Sequence, residues 1–172
     1  MDSRLSVWVG LEDRTMRSGF TLVEILIVVI ILGILASITV PKFIDAAQDS
    51  ESAMLESNAT MLQKQIDLYC VQHGGKGPHQ NEQGNTNPGQ FVARMTGKTD
   101  PSGKVNPNGS CGPYLDEWPK NPRTTVEAQA DKIQFDRLPN MKTGWYYSTQ
   151  YMMIIPNDEE SVKAFMEARG GG

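Results

Sequence analysis

Phe20–Val40 reads FTLVEILIVVIILGILASITV, and 16 of its 21 residues are apolar. As a helix, rising about 1.5 Å per residue, it is roughly 31 Å long, which matches the hydrocarbon thickness of a bilayer. Its one charge is Glu24. A core helix of a soluble domain normally keeps a polar face; this segment has none, and it reads as a membrane-embedded helix. Arg14 and Arg17 precede it with no acid in between, whereas Asp45, Asp49 and Glu51 follow. The basic flank normally stays in the cytoplasm, so the rest of the chain is expected on the far side of the membrane. A secretory signal would have a shorter apolar core followed by a small-residue cleavage motif, of which Ala36 and Ser37 are a poor version.

The composition limits what the remainder can be. The chain has 172 residues, enough for one domain beside the apolar segment, and a net charge of −4, which argues against nucleic-acid binding. Two cysteines and two histidines are too few for a zinc-ribbon array or a disulfide-dense scaffold. No nucleophile elbow, phosphate-cradling glycine loop or HExxH motif occurs, so no catalytic residues are assigned.

Two features depart from a plain membrane anchor. A carboxylate at Glu24 costs several kcal/mol in hydrocarbon unless it is neutralised or paired, although its place near the cytoplasmic end lets it reach toward headgroups. Gly19, directly before Phe20, permits an extended backbone suited to a protease. Together RSGFTLVEILIVVIILGILASITVPKF resembles the amino-terminal signature of type IV pilins and of the pseudopilins of type II secretion systems. The resemblance implies cleavage between Gly19 and Phe20 by an inner-membrane prepilin peptidase, and methylation of the new amine of Phe20. It also implies that Glu24 selects the subunit during assembly by pairing with the amino group of Phe20 on a neighbour. A buried carboxylate and a buried ammonium are each costly alone and largely offset each other together. The leader, residues 1–19, is longer than many of its class, and Met16 is an alternative start to Met1.

Beyond the apolar segment, Pro41 removes a backbone donor and is expected to kink the helix. Phe43, Ala47, Met54, Met61 and Leu68 then recur at spacings that sum to sevens, beside Leu55, Leu62, Ile66 and Tyr69, and predict an amphipathic stem that stops at Gly74-Gly75. From Phe20 to His73 such a helix would be about 80 Å long. Its outer half is read as the spine against which a head domain packs.

From Gly74 to Ser110, Gly, Pro and Asn supply 17 of 37 residues, which is loop chemistry. One short helix interrupts it, with Asn87 as cap, Pro88 in the first turn, Phe91, Val92 and Met95 as apolar face and Gly97 as stop. Thr124–Gln129, Lys132–Phe135 and Trp145–Ile155 are the strand candidates, the last a hairpin turning near Ser148–Gln150. Asp158–Arg169 is expected to form a terminal helix. QIDLYCVQH, FVARMTGKTDPSGKV, GPYLDEWPKNP and GWYYSTQYMMIIPN resemble the protein G pseudopilins of type II secretion. Members of that group commonly bind calcium in an acidic, Gly-rich C-terminal loop; here Asp158, Glu159 and Glu160 read instead as a charge cluster at a helix N-terminus, so no cofactor is expected, with calcium left as an alternative that the C-terminal sequence does not support.

Outside the cytoplasm Cys70 and Cys111 are expected to pair, closing a loop of about 40 residues; two free thiols are the alternative. A zinc set of Cys70, His73, His79 and Cys111 matches no standard spacing, and no metal site is assigned.

The expectation is thus an α+β, pilin-like fold: a long kinked N-terminal helix, half transmembrane and half amphipathic, packed on a small antiparallel sheet with long loops. Residues 1–19 are the leader, 20–40 the transmembrane and assembly segment, 41–73 the stem and 74–172 a periplasmic head. Implied partners are identical and minor pseudopilin subunits, the prepilin peptidase, an inner-membrane assembly platform, exported proteins and membrane lipid, with no nucleic acid. The implied location is the bacterial inner membrane, N-terminus cytoplasmic, and the pseudopilus after assembly. A type IV pilin of a surface fibre and a non-polymerising, single-pass anchored binding protein are the alternatives.

Overall fold

The computed structural model describes residues 19–135, 138–168 and 170. Arg14, Met16, Arg17 and the rest of the leader before Gly19 lie outside the described residues, as does Arg169. The fold is α+β, with one long helix, a small sheet and extensive loops. It divides into two compact units, Met1–Asp45 and Ala46–Gly172.

Helix α1 spans Leu22–Gln72 and continues through Pro41. In its first unit every described side chain is exposed, from Phe20 at 79% to Phe43 at 70%. The hydroxyls of this stretch turn back on the helix: Ser37 Oγ donates to the Ile34 carbonyl (2.7 Å) and Thr39 Oγ1 to that of Leu35 (2.8 Å). That satisfies them internally, as an apolar medium requires.

Within the second unit, α1 buries Leu55, Leu62, Ile66 and Tyr69. These lie seven, four and three residues apart, on one helical face. Met54, Met61 and Leu68, one residue before three of them in register, are 44%, 37% and 44% exposed. Both stripes are legible in the sequence, and only that of Leu55, Leu62, Ile66 and Tyr69 carries the core. The helix ends as the glycines predict: Gly75 N–H donates to the Cys70 carbonyl at 2.8 Å, with Gly74 at φ 66° and Gly75 at φ 87°. Such positive φ angles are open to glycine at little cost.

The core is completed by Phe91 and Met95 from α2 (Phe91–Thr96), by Tyr114 and Leu115 from the loop that follows, and by Trp145, Tyr147 and Ile154 from the sheet. Asn87 does not cap α2. A single 3-10 turn, Pro88–Gln90, intervenes, and the Asn87 side chain makes no capping bond. Gly97 N–H does close the helix on the Ala93 carbonyl (2.9 Å).

Strands β1 (Ile133–Phe135), β2 (Trp145–Ser148) and β3 (Met153–Pro156) lie in that order. β2 and β3 form the expected antiparallel hairpin, Trp145 opposite Pro156 and Ser148 opposite Met153. β1 runs parallel to β2, Ile133 beside Trp145, so the sheet is mixed rather than wholly antiparallel. The return to the same end depends on Gly144, where a Cβ would lie 1.7 Å from the Ala130 carbonyl oxygen. Thr124–Gln129 is not a strand. Asn121 N–H donates to the Ala130 carbonyl (3.0 Å) and closes the segment into a loop with a 3-10 turn at Glu127–Gln129. Its β-branched residues have no neighbouring strand, and Val126 is 52% exposed. The terminal helix, α3, spans Glu159–Glu167.

Candidate functional site

The N-terminal end of α1 collects the residues to which the sequence assigns processing and assembly. Gly19 and Phe20 precede the helix and are exposed, and among the described residues nothing lies within 4 Å of where a Cβ on Gly19 would stand. Thr21 begins the helix: its carbonyl accepts from Ile25 N–H at 3.3 Å. Glu24 N–H donates to Thr21 Oγ1 (3.2 Å), while Glu24 Oε2 accepts from Thr21 N–H (3.3 Å) and from its hydroxyl (3.4 Å). This reciprocal pair is a capping box. It satisfies donors that the first turn leaves free, and it places the carboxylate against the positive end of the helix dipole. Glu24 thus has a local partner in Thr21 besides the one expected on another subunit, and Thr-x-x-Glu before an apolar run is the sequence signal for this contact.

Both histidines and the buried tyrosines of the second unit are engaged in structure. His73 is 2% exposed, stacks on Tyr69 with ring centroids 3.9 Å apart, and contacts the Tyr69 carbonyl through Nδ1 (2.8 Å) and Thr99 Oγ1 through Nε2 (3.0 Å). His79 Nδ1 lies 3.1 Å from the Tyr147 hydroxyl. Burial pushes the Tyr69 phenol up to about 12, against the pull of the Arg94 guanidinium, and burial likewise raises Tyr114 to about 12.

Cys70 and Cys111 are free thiols, so the expected disulfide is not formed. Both pack against the core around Tyr69, with Cys70 Sγ 3.8 Å from Met152 Sδ in the β2–β3 turn and Cys111 Sγ 3.9 Å from Ser110 Oγ, on a segment bridged to Thr99. Burial, with Asp67 nearby, raises the Cys70 thiol above its ordinary value. Among the described residues no group of three His, Cys, Asp or Glu side chains comes together to hold a metal. Asp158 instead caps α3, accepting from Ser161 N–H (3.0 Å) and Ser161 Oγ (3.2 Å). Glu160 Oε2 meets Arg123 Nη1 at 2.9 Å.

Three polar residues that the sequence reading did not single out organise this unit. Gln63 behaves like a strand partner: its Nε2 donates to the Met152 carbonyl (3.0 Å) and its Oε1 accepts from Ile154 N–H (3.0 Å), joining α1 to the hairpin. Arg94, 1% exposed, donates from Nε to the Gly103 carbonyl and from Nη1 to those of Pro78 and Asn87, each at 3.1 Å, so one cation gathers three loop segments. Arg123 joins Ser52 on α1 to Glu160 on α3. None of the three belongs to a local motif, since each acts across a long sequence separation or between loops.

The chain has clear relatives. Residues 14–40 match the model of the prokaryotic N-terminal methylation motif. The ComG operon protein 3 homolog of Bacillus licheniformis is 38% identical over 66 residues, which are 38% of this chain and 68% of that protein. The chain belongs to the type IV pilin and pseudopilin family. Members of this family are structural subunits that assemble into fibres with like subunits, and α1 supplies the apolar N-terminal helix by which such a subunit is anchored. The type II secretion system core protein G of Vibrio cholerae is 29% identical over 106 residues, 62% of this chain and 65% of that one. The type IV narrow pilus major component PilA5 of Thermus thermophilus is 37% identical over 57 residues, 33% of this chain and 49% of that one. The chain thus spans less than two thirds of the length of these last two relatives. No solved structure matches it.

Proposed function

We propose that this chain is a pseudopilin: a fibre subunit of a type II secretion system, cut between Gly19 and Phe20 by prepilin peptidase, methylated at Phe20, and polymerised through α1 to drive protein export. The observation that carries the secretion reading is the reach of the similarity to the Vibrio cholerae protein G. Its 106 residues are about twice the 51 of α1, so the likeness is not confined to the helix that all such subunits share. Before assembly the apolar stretch of α1 spans the inner membrane with its basic flank in the cytoplasm and the head in the periplasm. Pro41 gives the helix a point of bending. The chain itself performs no catalytic step and carries no cofactor in this reading; the assembly platform and its motor lie elsewhere.

The capping box refines the part played by Glu24. In the single subunit its carboxylate is held by Thr21, so the charge is only partly compensated in a medium that tolerates no free ions. Cleavage creates an ammonium on Phe20, and the same group on a neighbouring subunit completes the pairing. Assembly is then favoured only in the register that brings the two together.

The test is amino-terminal sequencing and intact mass of the mature protein, alongside Glu24→Ala. The expected mature chain begins at methylated Phe20, and the variant is cleaved normally but yields no fibre. A mature protein that keeps its leader, or normal fibres from the variant, would overturn the reading. The similarity to PilA5 supports a second reading, a type IV pilin of a surface fibre. Long extracellular fibres by electron microscopy would favour it, whereas neighbouring genes for an outer-membrane secretin and a secretion ATPase would favour export.

A further inference from the structure

Two exposed patches of the second unit share no residue, and each has what the other lacks. One is a groove of about 540 Å³ lined by Met61, Pro113, Leu115 and Pro119, with Asp116 and Glu117 as exposed acids. Met61 belongs to the outward stripe of α1, the apolar face that the head leaves uncovered. The other is the segment Leu138–Lys142, which leads toward β2. Leu138 is 75% exposed and Met141 46%, with exposed Lys142 beside them.

Three hydrogen bonds tie that segment to Gln134 and Asn157, and a fourth lies within it. Gln134 Nε2 donates to the Leu138 carbonyl (2.8 Å), and Gln134 Oε1 accepts from Asn140 N–H (3.2 Å). Asn157 Oδ1 accepts from Met141 N–H (3.3 Å), and Asn140 Oδ1 from Lys142 N–H (3.0 Å). Met141 sits at φ 57°, a left-handed conformation that a side chain of its kind seldom adopts. Four hydrogen bonds and a strained backbone therefore present two apolar side chains to solvent. Strain of this kind persists where the surrounding structure fixes it, and it concentrates at functional places.

We infer that, in the fibre, Leu138–Lys142 of one copy inserts into the Met61 groove of a second copy, its apolar side chains covering Met61 and Lys142 facing Asp116 and Glu117. The inference rests on the fibre reading above and names a head-level contact within it. A second copy is the occupant because acid and base, groove and projection, are complementary on the same chain. A contact between two different patches of one subunit is heterologous, and repeated it generates an open helical array rather than a closed dimer. The apolar part supplies burial and the rim charges select the register.

The experiment uses the full-length chain expressed in its own host, with fibres sheared from cells or envelopes. Carbodiimide coupling of fibres from cells shifted from isotopically light to heavy medium during growth, so that both labels enter the same fibre, should join Lys142 to Glu117 or Asp116 across two copies, identified as mixed-label peptides by mass spectrometry. Leu138→Ser with Met141→Ser should lower the polymerised fraction about fivefold or more, with subunit abundance and helical circular dichroism unchanged. Lys142→Glu should lower it by a smaller factor, and adding Glu117→Lys and Asp116→Lys should restore it. No polymer from the unaltered chain would overturn the fibre reading and this contact with it. Full polymer from the serine variant, coupling of these residues only within single copies, or coupling only to a different protein would overturn the contact alone.

Discussion

Leu22–Asp45 and Ala46–Gln72 are consecutive stretches of one helix, stabilised by opposite means. In the first, Ile25 through Ile38 leave about half of each large apolar side chain uncovered, as far as a lone helix can cover them. Among the described residues of that unit nothing removes this surface from water, which suits a helix that is covered by lipid or by like subunits. In the second, Leu62 and Ile66 are completely enclosed and Leu55 and Tyr69 nearly so. That stretch depends on its own head. The difference shows that the two ends of the helix answer to different partners: changes in the first should act on insertion and assembly, and changes in the second on folding of the monomer.

Neighbouring residues on α1 give the sharpest way to break this division. Leu62→Ala empties a fully buried position and should cost about 3 kcal/mol. Met61→Ala, one residue away but on the uncovered stripe, should cost less than about 1 kcal/mol. Urea unfolding of the chain from Phe20 onward in detergent micelles, followed by tryptophan fluorescence, measures both. With the leader and its Trp8 removed, the fluorescence reports the head, where Trp118 and Trp145 line or approach the core. Equal losses would mean that the two stripes do not divide the labour between core and surface.

Arg94 should give the next largest effect, and it falls wholly within the second unit. Arg94→Met keeps much of the volume but removes the donors from three carbonyls, of Gly103, Pro78 and Asn87. Relief of a buried charge offsets part of that loss, so the net cost should be about 2 kcal/mol. The same micelle titration reads it, and far-ultraviolet circular dichroism should show the apolar N-terminal part of α1 unchanged. Loss of helix signal along with the head would show that the two stretches of α1 are energetically coupled.

Much of this was legible because strong local signals agree. The apolar run, the Gly74-Gly75 stop and the β2–β3 hairpin each rest on a dense pattern over a few residues. What escaped was set by contacts distant in sequence. Met54-Met61-Leu68 and Leu55-Leu62-Tyr69 carry the same spacing, and a helix drawn alone cannot say which stripe the head will cover. Thr124–Val126 has strand-forming residues, but strands need partners, and the Asn121–Ala130 hydrogen bond claims that segment as a loop. The parallel pairing of β1 depends on a close approach at Gly144 that no composition reveals. Thr21–Glu24 differs from these cases: its local pattern was complete in the sequence, but the charge in an apolar segment drew attention to a distant partner instead.

Two acids hold the N-termini of helices here, and comparing them separates local capping from assembly. Asp158 begins α3 by accepting twice from Ser161, and Glu24 closes the first turn of α1 through Thr21. Each should contribute about 1 kcal/mol to its helix by the same mechanism. Asp158→Ala should therefore lower head stability by about that amount or somewhat more in the micelle titration, since it also removes the 3.9 Å contact of Asp158 with Arg123, which stays paired to Glu160. It should leave the quantity of fibre nearly unchanged, because α3 lies outside both the apolar helix and the proposed groove. Glu24→Ala should do the reverse, removing fibre while the head melts as before. If Asp158→Ala abolished fibres without destabilising the head, α3 would belong to the subunit interface, and the division between a self-supporting head and a neighbour-dependent helix would have to be redrawn.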